Sequence, residues 1–311
     1  MAPTVLVGFA ARPDFVDRLK ERYAVIGPID RITADKVPPE ARDTRVLVTI
    51  GGYRTDAALI AALPRLELIA LYGTGHEGVD HAAAAARGIR ISNGADANAT
   101  AVADFAMGLV LASALRLPQL DAVVRRGGWR SDVRTVPGLT GKRLGIYGLG
   151  AIGSRVASRA SAFEMEIGYH NRAPKAGVPY RYFGALIDLA AWSDILVVTV
   201  RADAGNRHSV DRRVLEALGP AGHLVNVSRG IAVDEAALIE ALEERTIAGA
   251  GLDVYEDEPR VPARLRALDN AVLSPHVAAL SESAQSGLQA LMLANLEAFF
   301  TGKPLVSPVK V

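Results

Sequence analysis

Short apolar runs, many of them rich in β-branched residues, recur along the chain and end at glycine or a polar turn. Thr4–Phe9 (TVLVGF), Arg45–Ile50 (RVLVTI), Leu66–Leu71 (LELIAL) and Ile89–Ser92 predict four strands. Pro13–Arg22, Thr55–Leu63 and His81–Arg87 read as helices between them. Pro13 opens the first, whose Phe15, Val16 and Leu19 share one face, and Thr55 is the candidate N-cap of the second. Strands alternating with helices imply βαβ units and a parallel sheet, so the first hundred residues form one α/β unit. A second set follows: Leu144–Tyr147, Glu166–Tyr169, Ile195–Val200, His223–Val227 and Gly249–Leu252, with Val272–Leu273 as an edge. Ser154–Ala162 and Asp234–Arg245 read as helices of that set, and Arg125–Trp129 as a break.

Two further helices stand apart. Thr100–Ala114 is apolar almost all round, which suits a core helix or one buried against a second subunit. Ser281–Phe300 is amphipathic and precedes a proline-broken tail with no strand after it. The chain is expected to cross between domains near Ala97–Val102 and to return through the last helix. That gives an α/β fold of two Rossmann-like or flavodoxin-like parallel-sheet domains with a cleft between them. One is discontinuous, 1–98 plus 283–311; the other spans 99–282.

Composition narrows the function. The 311 residues carry a net charge of +1 and no basic run, so nothing favours nucleic acid or a membrane surface. With no cysteine there is no disulfide, no thiolate nucleophile and no Cys-ligated metal, and no metal site is expected. No apolar run reaches about 18 residues and no basic-flanked leader opens the chain. A soluble, cytoplasmic protein is expected.

The first strand of the second set runs into Gly148-Leu149-Gly150-Ala151-Ile152-Gly153, a G-x-G-x-x-G between strand and helix. In a dinucleotide site the first glycine makes the tight turn, the second lets backbone approach the pyrophosphate, and the third lets helix pack on strand. The helix N-terminus then presents N–H groups and a positive dipole end to the phosphates. The next strand ends at His170-Asn171-Arg172, and no carboxylate appears before Asp188. An NAD site commonly has an acid there for the ribose hydroxyls, whereas an arginine suits a 2′-phosphate. NADPH is therefore expected over NADH, with Asn171 and Arg172 at the phosphate; the plainer alternative leaves Arg172 solvated or stacked on adenine.

Three more motifs follow strands: Asn226–Gly230 (NVSRG), Gly251–Pro259 (GLDVYEDEP) and Ser274–Ala278 (SPHVA). Ligands of open α/β sheets bind at the carboxyl ends of strands, so Arg229, Glu258 and His276 could meet there. An arginine suits a carboxylate, a histidine can move a proton, and a carboxylate beside it favours the imidazolium. Singly, each has a bland reading as ion-pair partner, surface histidine or solvated acidic run.

Together with Gly73–Asp80 (GTGHEGVD), Val102–Leu109 (VADFAMGL) and Gly141–Gly153, these motifs resemble the D-isomer-specific 2-hydroxyacid dehydrogenase family over nearly the whole chain. His170-Asn171-Arg172 resembles its NADPH-preferring glyoxylate/hydroxypyruvate and hydroxyphenylpyruvate reductases. The resemblance implies reduction of a small 2-oxo acid to the D-2-hydroxy acid, with a substrate domain formed by the discontinuous unit. It implies that Arg229 grips the substrate, His276 is the general acid/base, and Glu258 pairs with it. It puts Asp253 near the nicotinamide carboxamide, the Thr74 and Gly75 backbone on the substrate carboxylate, and the protein in a homodimer. Departures are Arg201 in place of a proline, His76-Glu77 in place of an aromatic and Asp, and Ala278-Ala279 in place of a glycine pair. The rival readings are an NAD-linked relative and a dinucleotide-sensing binding protein of the same fold. The intact Arg/Glu/His set argues against the sensor, and the missing acid after the second strand argues against the NAD-linked relative.

Overall fold

The computed structural model describes residues 2–201 and 204–309. In chain order the elements are β1 (Thr4–Val7), α1 (Pro13–Lys20), β2 (Ala24–Ile26), β3 (Val46–Thr49), α2 (Ala57–Ala62), β4 (Leu68–Leu71), α3 (His81–Ala86) and β5 (Arg90–Ser92). Then come α4 (Ala99–Ala114), α5 (Leu117–Arg125), β6 (Arg143–Tyr147), α6 (Ala151–Ala162), β7 (Glu166–His170), β8 (Arg181–Phe183), α7 (Leu186–Trp192) and β9 (Ile195–Val198). The last are α8 (Arg212–Leu218), β10 (His223–Asn226), α9 (Glu235–Glu243), β11 (Gly249–Leu252), α10 (Ala263–Arg266), β12 (Ala271–Leu273) and α11 (Glu282–Phe300). The chain divides into two compact units, Met1–Asn98 with Ser281–Val311, and Ala99–Leu280.

The discontinuous unit holds a parallel sheet of order β2-β1-β3-β4-β5. Successive strand residues face opposite sides, and here both sides are covered. Val5, Val7, Val46, Val48, Leu68 and Ala70 pack with Phe15 and Leu19 of α1 and with Met292, Leu296 and Phe299 of α11. Leu6, Leu47, Ile69 and Leu71 pack with Leu59 and Ile60 of α2 and Ala84 of α3. Double burial is why these strands read as unbroken apolar runs. The sequence does not announce β2, which is three residues long and sits at the sheet edge. It also assigns the α2 cap one residue early: Asp56, not Thr55, accepts the Leu59 N–H at 3.0 Å. Thr55 is buried and its backbone N–H donates to Gly78 O.

The continuous unit holds a seven-stranded parallel sheet of order β12-β11-β10-β9-β6-β7-β8. From β6 the chain builds outward through β7 and β8, then crosses back to β9 and builds the other way. The switch point is thus at the carboxyl ends of β6 and β9, where such sheets take their ligands. α6 begins at Ala151, three residues before the sequence suggests, because the glycine loop already turns helical there. α4 is mostly buried and lies on α6, β10 and β11 of its own unit. A Cβ on Gly251 would stand 2.9 Å from Leu109 Cβ, so that glycine lets α4 close on β11. The core-helix reading of α4 therefore accounts for its apolar surface. No single helix among the described residues is long and apolar enough to cross a membrane.

Candidate active site

β10, β11 and β12 are neighbours in the sheet, and each carries one of the three chemical motifs at its carboxyl end. Buried Asn226 ends β10 and organises the turn that follows. Its Oδ1 accepts from Ser228 N (3.0 Å) and Ser228 Oγ (2.8 Å), and its Nδ2 donates to Arg229 O (3.1 Å). The half-buried Arg229 guanidinium donates to Ser228 O at 2.8 Å. A Cβ on Gly230 would meet the carbonyl of Tyr255 at 2.0 Å, so only glycine lets this turn press onto the loop after β11.

That second loop separates its three acids. Glu256 pairs with Arg207 and, at 2.8 Å, with His208 Nε2. Asp257 takes both arms of the Arg260 fork, at 2.8 and 2.9 Å. Glu258 accepts the Tyr255 N–H on Oε1 (3.0 Å) and meets His276 Nδ1 with Oε2 at 2.7 Å. The solvated-run reading thus fails for Glu258. Partial burial pushes its carboxyl up. The His276 hydrogen bond, the Tyr255 N–H and the charges of His276 and Arg229 outweigh that, leaving it below the usual range.

His276 has φ +55°, in the left-handed region that non-glycine side chains rarely adopt. Its loop is held by Asp253, whose Oδ1 accepts from Ser274 Oγ (2.7 Å) and Val277 N (2.9 Å) and whose Oδ2 accepts from Ala278 N (3.0 Å). The sequence reading puts Asp253 beside the nicotinamide. The carboxylate is 1% exposed, and its bonds run to the Ser274 hydroxyl and to the backbone just after His276. Tyr255 adds a second hold: its hydroxyl donates to Ser274 O at 2.9 Å, and burial pushes its pKa up to about 12.

The glycine loop follows β6 at the switch point. Gly148 has φ +103°, and a Cβ there would stand 2.6 Å from the Val200 backbone. A Cβ on Gly153 would meet Gly148 O at 2.3 Å, whereas around Gly150 there is nothing within 4 Å. The open position is the one the sequence assigns to the pyrophosphate. Gly150 brings no side-chain cap to α6, so the first helical amides, from Ala151, Ile152 and Gly153, stay available to an anion. These residues fit a dinucleotide.

Asn171 does something the sequence does not reveal. Its Oδ1 accepts the Leu149 N–H at 2.8 Å, which ties the end of β7 to the glycine loop. Arg172, beside it, is exposed and has no ion pair among the described residues. Lys175, which the sequence reading passes over, donates to Leu149 O (3.2 Å) and Ser154 Oγ (3.1 Å). It is one lysine in an Ala/Pro/Gly loop, with no spacing signal to mark it. Arg201, the departure from the proline pattern, is exposed, and its carbonyl accepts Asn206 Nδ2.

In the discontinuous unit, Thr74 and Gly75 lie in the turn after β4. The turn is fastened to the one after β3 by Gly78 N→Gly51 O (2.7 Å) and Thr55 N→Gly78 O (2.8 Å). A Cβ on Gly51 would stand 1.9 Å from Gly75 O. His76 is buried here with its Nδ1 2.8 Å from His81 Nε2.

The model of the D-isomer specific 2-hydroxyacid dehydrogenase NAD-binding domain matches residues 107–278. The chain belongs to the D-isomer specific 2-hydroxyacid dehydrogenase family. It is accordingly a nicotinamide-dependent oxidoreductase. It is 43% identical to the hydroxyphenylpyruvate reductase of Plectranthus scutellarioides over 87% of both chains. It is 40% identical to a glyoxylate/hydroxypyruvate reductase of Arabidopsis thaliana over 99% of this chain and 98% of that one. Among solved structures it is similar to the NADPH-dependent glyoxylate/hydroxypyruvate reductase of Sinorhizobium meliloti in complex with NADP and malonate. That match has a TM-score of 0.93 and 38% identity, and it covers 99% of this chain and 97% of the other.

Proposed function

We propose that this member of the family reduces a small 2-oxo acid, of the glyoxylate/hydroxypyruvate class, to the D-2-hydroxy acid with NADPH. The observation that carries the reading is the Glu258–His276 pair, formed by the loops after β11 and β12, with Arg229 in the turn after neighbouring β10. Because Glu258 occupies Nδ1, Nε2 is the nitrogen left to face a substrate. As imidazolium it donates a proton to the carbonyl oxygen; neutral, it takes one back in the reverse direction. Arg229 binds the carboxylate and carbonyl and offsets charge developing on that oxygen. The Thr74 and Gly75 amides bind a substrate carboxylate. When bound at the glycine loop, NADPH supplies the hydride. Arg172 pairs with the 2′-phosphate, while Asn171 keeps the loop in shape. Asp253 acts on His276 rather than on the cofactor.

A homodimer fits the surface of the continuous unit. Leu117, Val124 and Trp129, the last 72% exposed, lie on α5 and the turn after it. Leu120, Val123 and Val133 line a hollow of about 230 Å³ with Val124 and Trp129. We assign this face to a second copy, and sedimentation as a dimer that Trp129→Glu splits would support it.

The function is tested by following NADPH and NADH oxidation in parallel with glyoxylate, hydroxypyruvate and 4-hydroxyphenylpyruvate. Turnover that prefers NADPH and disappears in His276→Ala, with nucleotide binding kept, is expected. Full activity of His276→Ala would remove histidine from the mechanism. Nucleotide binding without turnover of any 2-oxo acid would favour a sensing role.

A further inference from the structure

The discontinuous unit contains a polar chain that ends at the proposed substrate loop. Asn295 of α11 is 1% exposed, an unusual place for an amide. Its Oδ1 accepts Ser307 N (3.1 Å), and its Nδ2 donates to Ser307 Oγ (2.8 Å) and Leu291 O (2.9 Å). Ser307 Oγ donates onward to Asn93 O at 2.6 Å, and Asn93 N returns a bond to Ser307 O at 3.2 Å. Around this knot the tail runs along β5: Pro308 bridges antiparallel to Ser92, and Val309 N donates to Ile91 O. The tail thereby holds Asn93 at the carboxyl end of β5.

The Asn93 side chain then reaches across to the turn after β4. Nδ2 donates to Thr74 O at 2.7 Å, while Oδ1 accepts Ala95 N at 3.1 Å. Thr74 O and Gly75 N–H belong to one planar trans peptide and point in opposite directions. A donor that fixes the carbonyl therefore aims the amide. Gly75 is also pinned from the side by Gly51, and Gly73 O accepts Gly94 N at 2.6 Å, so the peptide has little room to turn.

We propose that Asn93, held by Ser307 and Asn295, is a positioning residue: it locks the Thr74–Gly75 peptide so that Gly75 N–H faces the substrate carboxylate. The proposal rests on the reading of Thr74 and Gly75 as the carboxylate loop. Its reach is what the sequence hides, since Ser307 acts on a peptide more than two hundred positions away in the chain.

The test uses the whole protein with three variants. Asn93→Asp keeps the acceptor for Ala95 N and removes the donor to Thr74 O. Ser307→Ala leaves the loop untouched and releases Asn93 from behind; Ser307→Thr restores the hydroxyl. Two readouts are taken: hydrogen exchange of the 73–79 segment, and KM and kcat for the oxo acid beside KM for NADPH. Expected for Asn93→Asp and Ser307→Ala is faster exchange in that segment and a KM for the oxo acid raised roughly tenfold, the value of one hydrogen bond to a charged group. kcat should stay within about twofold and KM for NADPH should not move; Ser307→Thr should behave as the parent. Unchanged exchange at 73–79 in both variants overturns the tether. So does a loss that falls equally on kcat and NADPH, the mark of general damage. Faster exchange with an unchanged KM leaves the tether standing and refutes the carboxylate role of Gly75.

Discussion

His223 makes the stability of the continuous unit depend on pH. It starts β10, mostly buried, with Nδ1 2.8 Å from Ser113 Oγ on α4. Burial, reinforced by the charges of Arg116 and Lys142, lowers its pKa from 6.5 to about 4. Between those two values the unfolded chain binds a proton that the native protein refuses. Stability is therefore full above pH 6.5 and falls as the pH drops toward 4. At about 1.4 kcal/mol per pH unit, the whole span is worth roughly 3 kcal/mol, and about 2 kcal/mol of it is lost between pH 7 and pH 5. His223→Asn keeps a polar atom for Ser113 and cannot titrate. The two tryptophans, Trp129 and Trp192, both lie in the continuous unit with His223, so urea unfolding followed by their fluorescence reports that unit. The parent should lose roughly 2 kcal/mol more than His223→Asn on going from pH 7 to pH 5. Equal losses in the two proteins would refute the reasoning, because all other titrating groups cancel in the comparison.

Three further outcomes follow from the site. Glu258→Gln should lower kcat by about a hundredfold, at the low end for general acid–base groups, while nucleotide affinity measured by fluorescence titration stays constant. Arg172→Ala should raise KM for NADPH by about tenfold or more and leave KM for NADH unchanged, since only NADPH has a phosphate to lose; steady-state kinetics with both cofactors decide it. Gly230→Ala should cost about a hundredfold in kcat/KM, with a lowered Tm by calorimetry, because the added methyl must push the Arg229 turn off the Tyr255 carbonyl.

The parallel strands were legible because burial on both faces leaves an unbroken apolar run, as in Val46–Thr49 and Ile195–Val198. β2 and β8 were not: each is three residues at a sheet edge with at most one buried position, and the equally short edge strands β5 and β12 were read only from brief apolar stretches, Ile89–Ser92 and Val272–Leu273. The glycine motif was legible because each of its positions has a distinct steric demand. Glu258 and His276 were another matter. Eighteen residues separate them, and what joins them is the neighbouring register of β11 and β12, which local pattern does not encode. Their places just past strands allowed the two to meet, and the resemblance singled them out as a pair. Asn171, Asp253 and Asn93 show the same limit: each side chain bonds backbone of another segment, and a polar residue in a loop looks alike in sequence whichever way it turns.

The split of one unit across the chain bears on the order in which the protein is made. Residues 99–280 form a contiguous sheet that can close as soon as they leave the ribosome. The first 98 residues cannot finish at that point. Val5, Val7, Val46 and Val48 await Met292, Leu296 and Phe299, and β5 awaits the tail that bridges Ser92. During synthesis the earlier half-sheet therefore stays open on one face while everything after it is translated. That uncovered valine surface is where a nascent-chain chaperone would bind, and where a stalled or truncated product would aggregate.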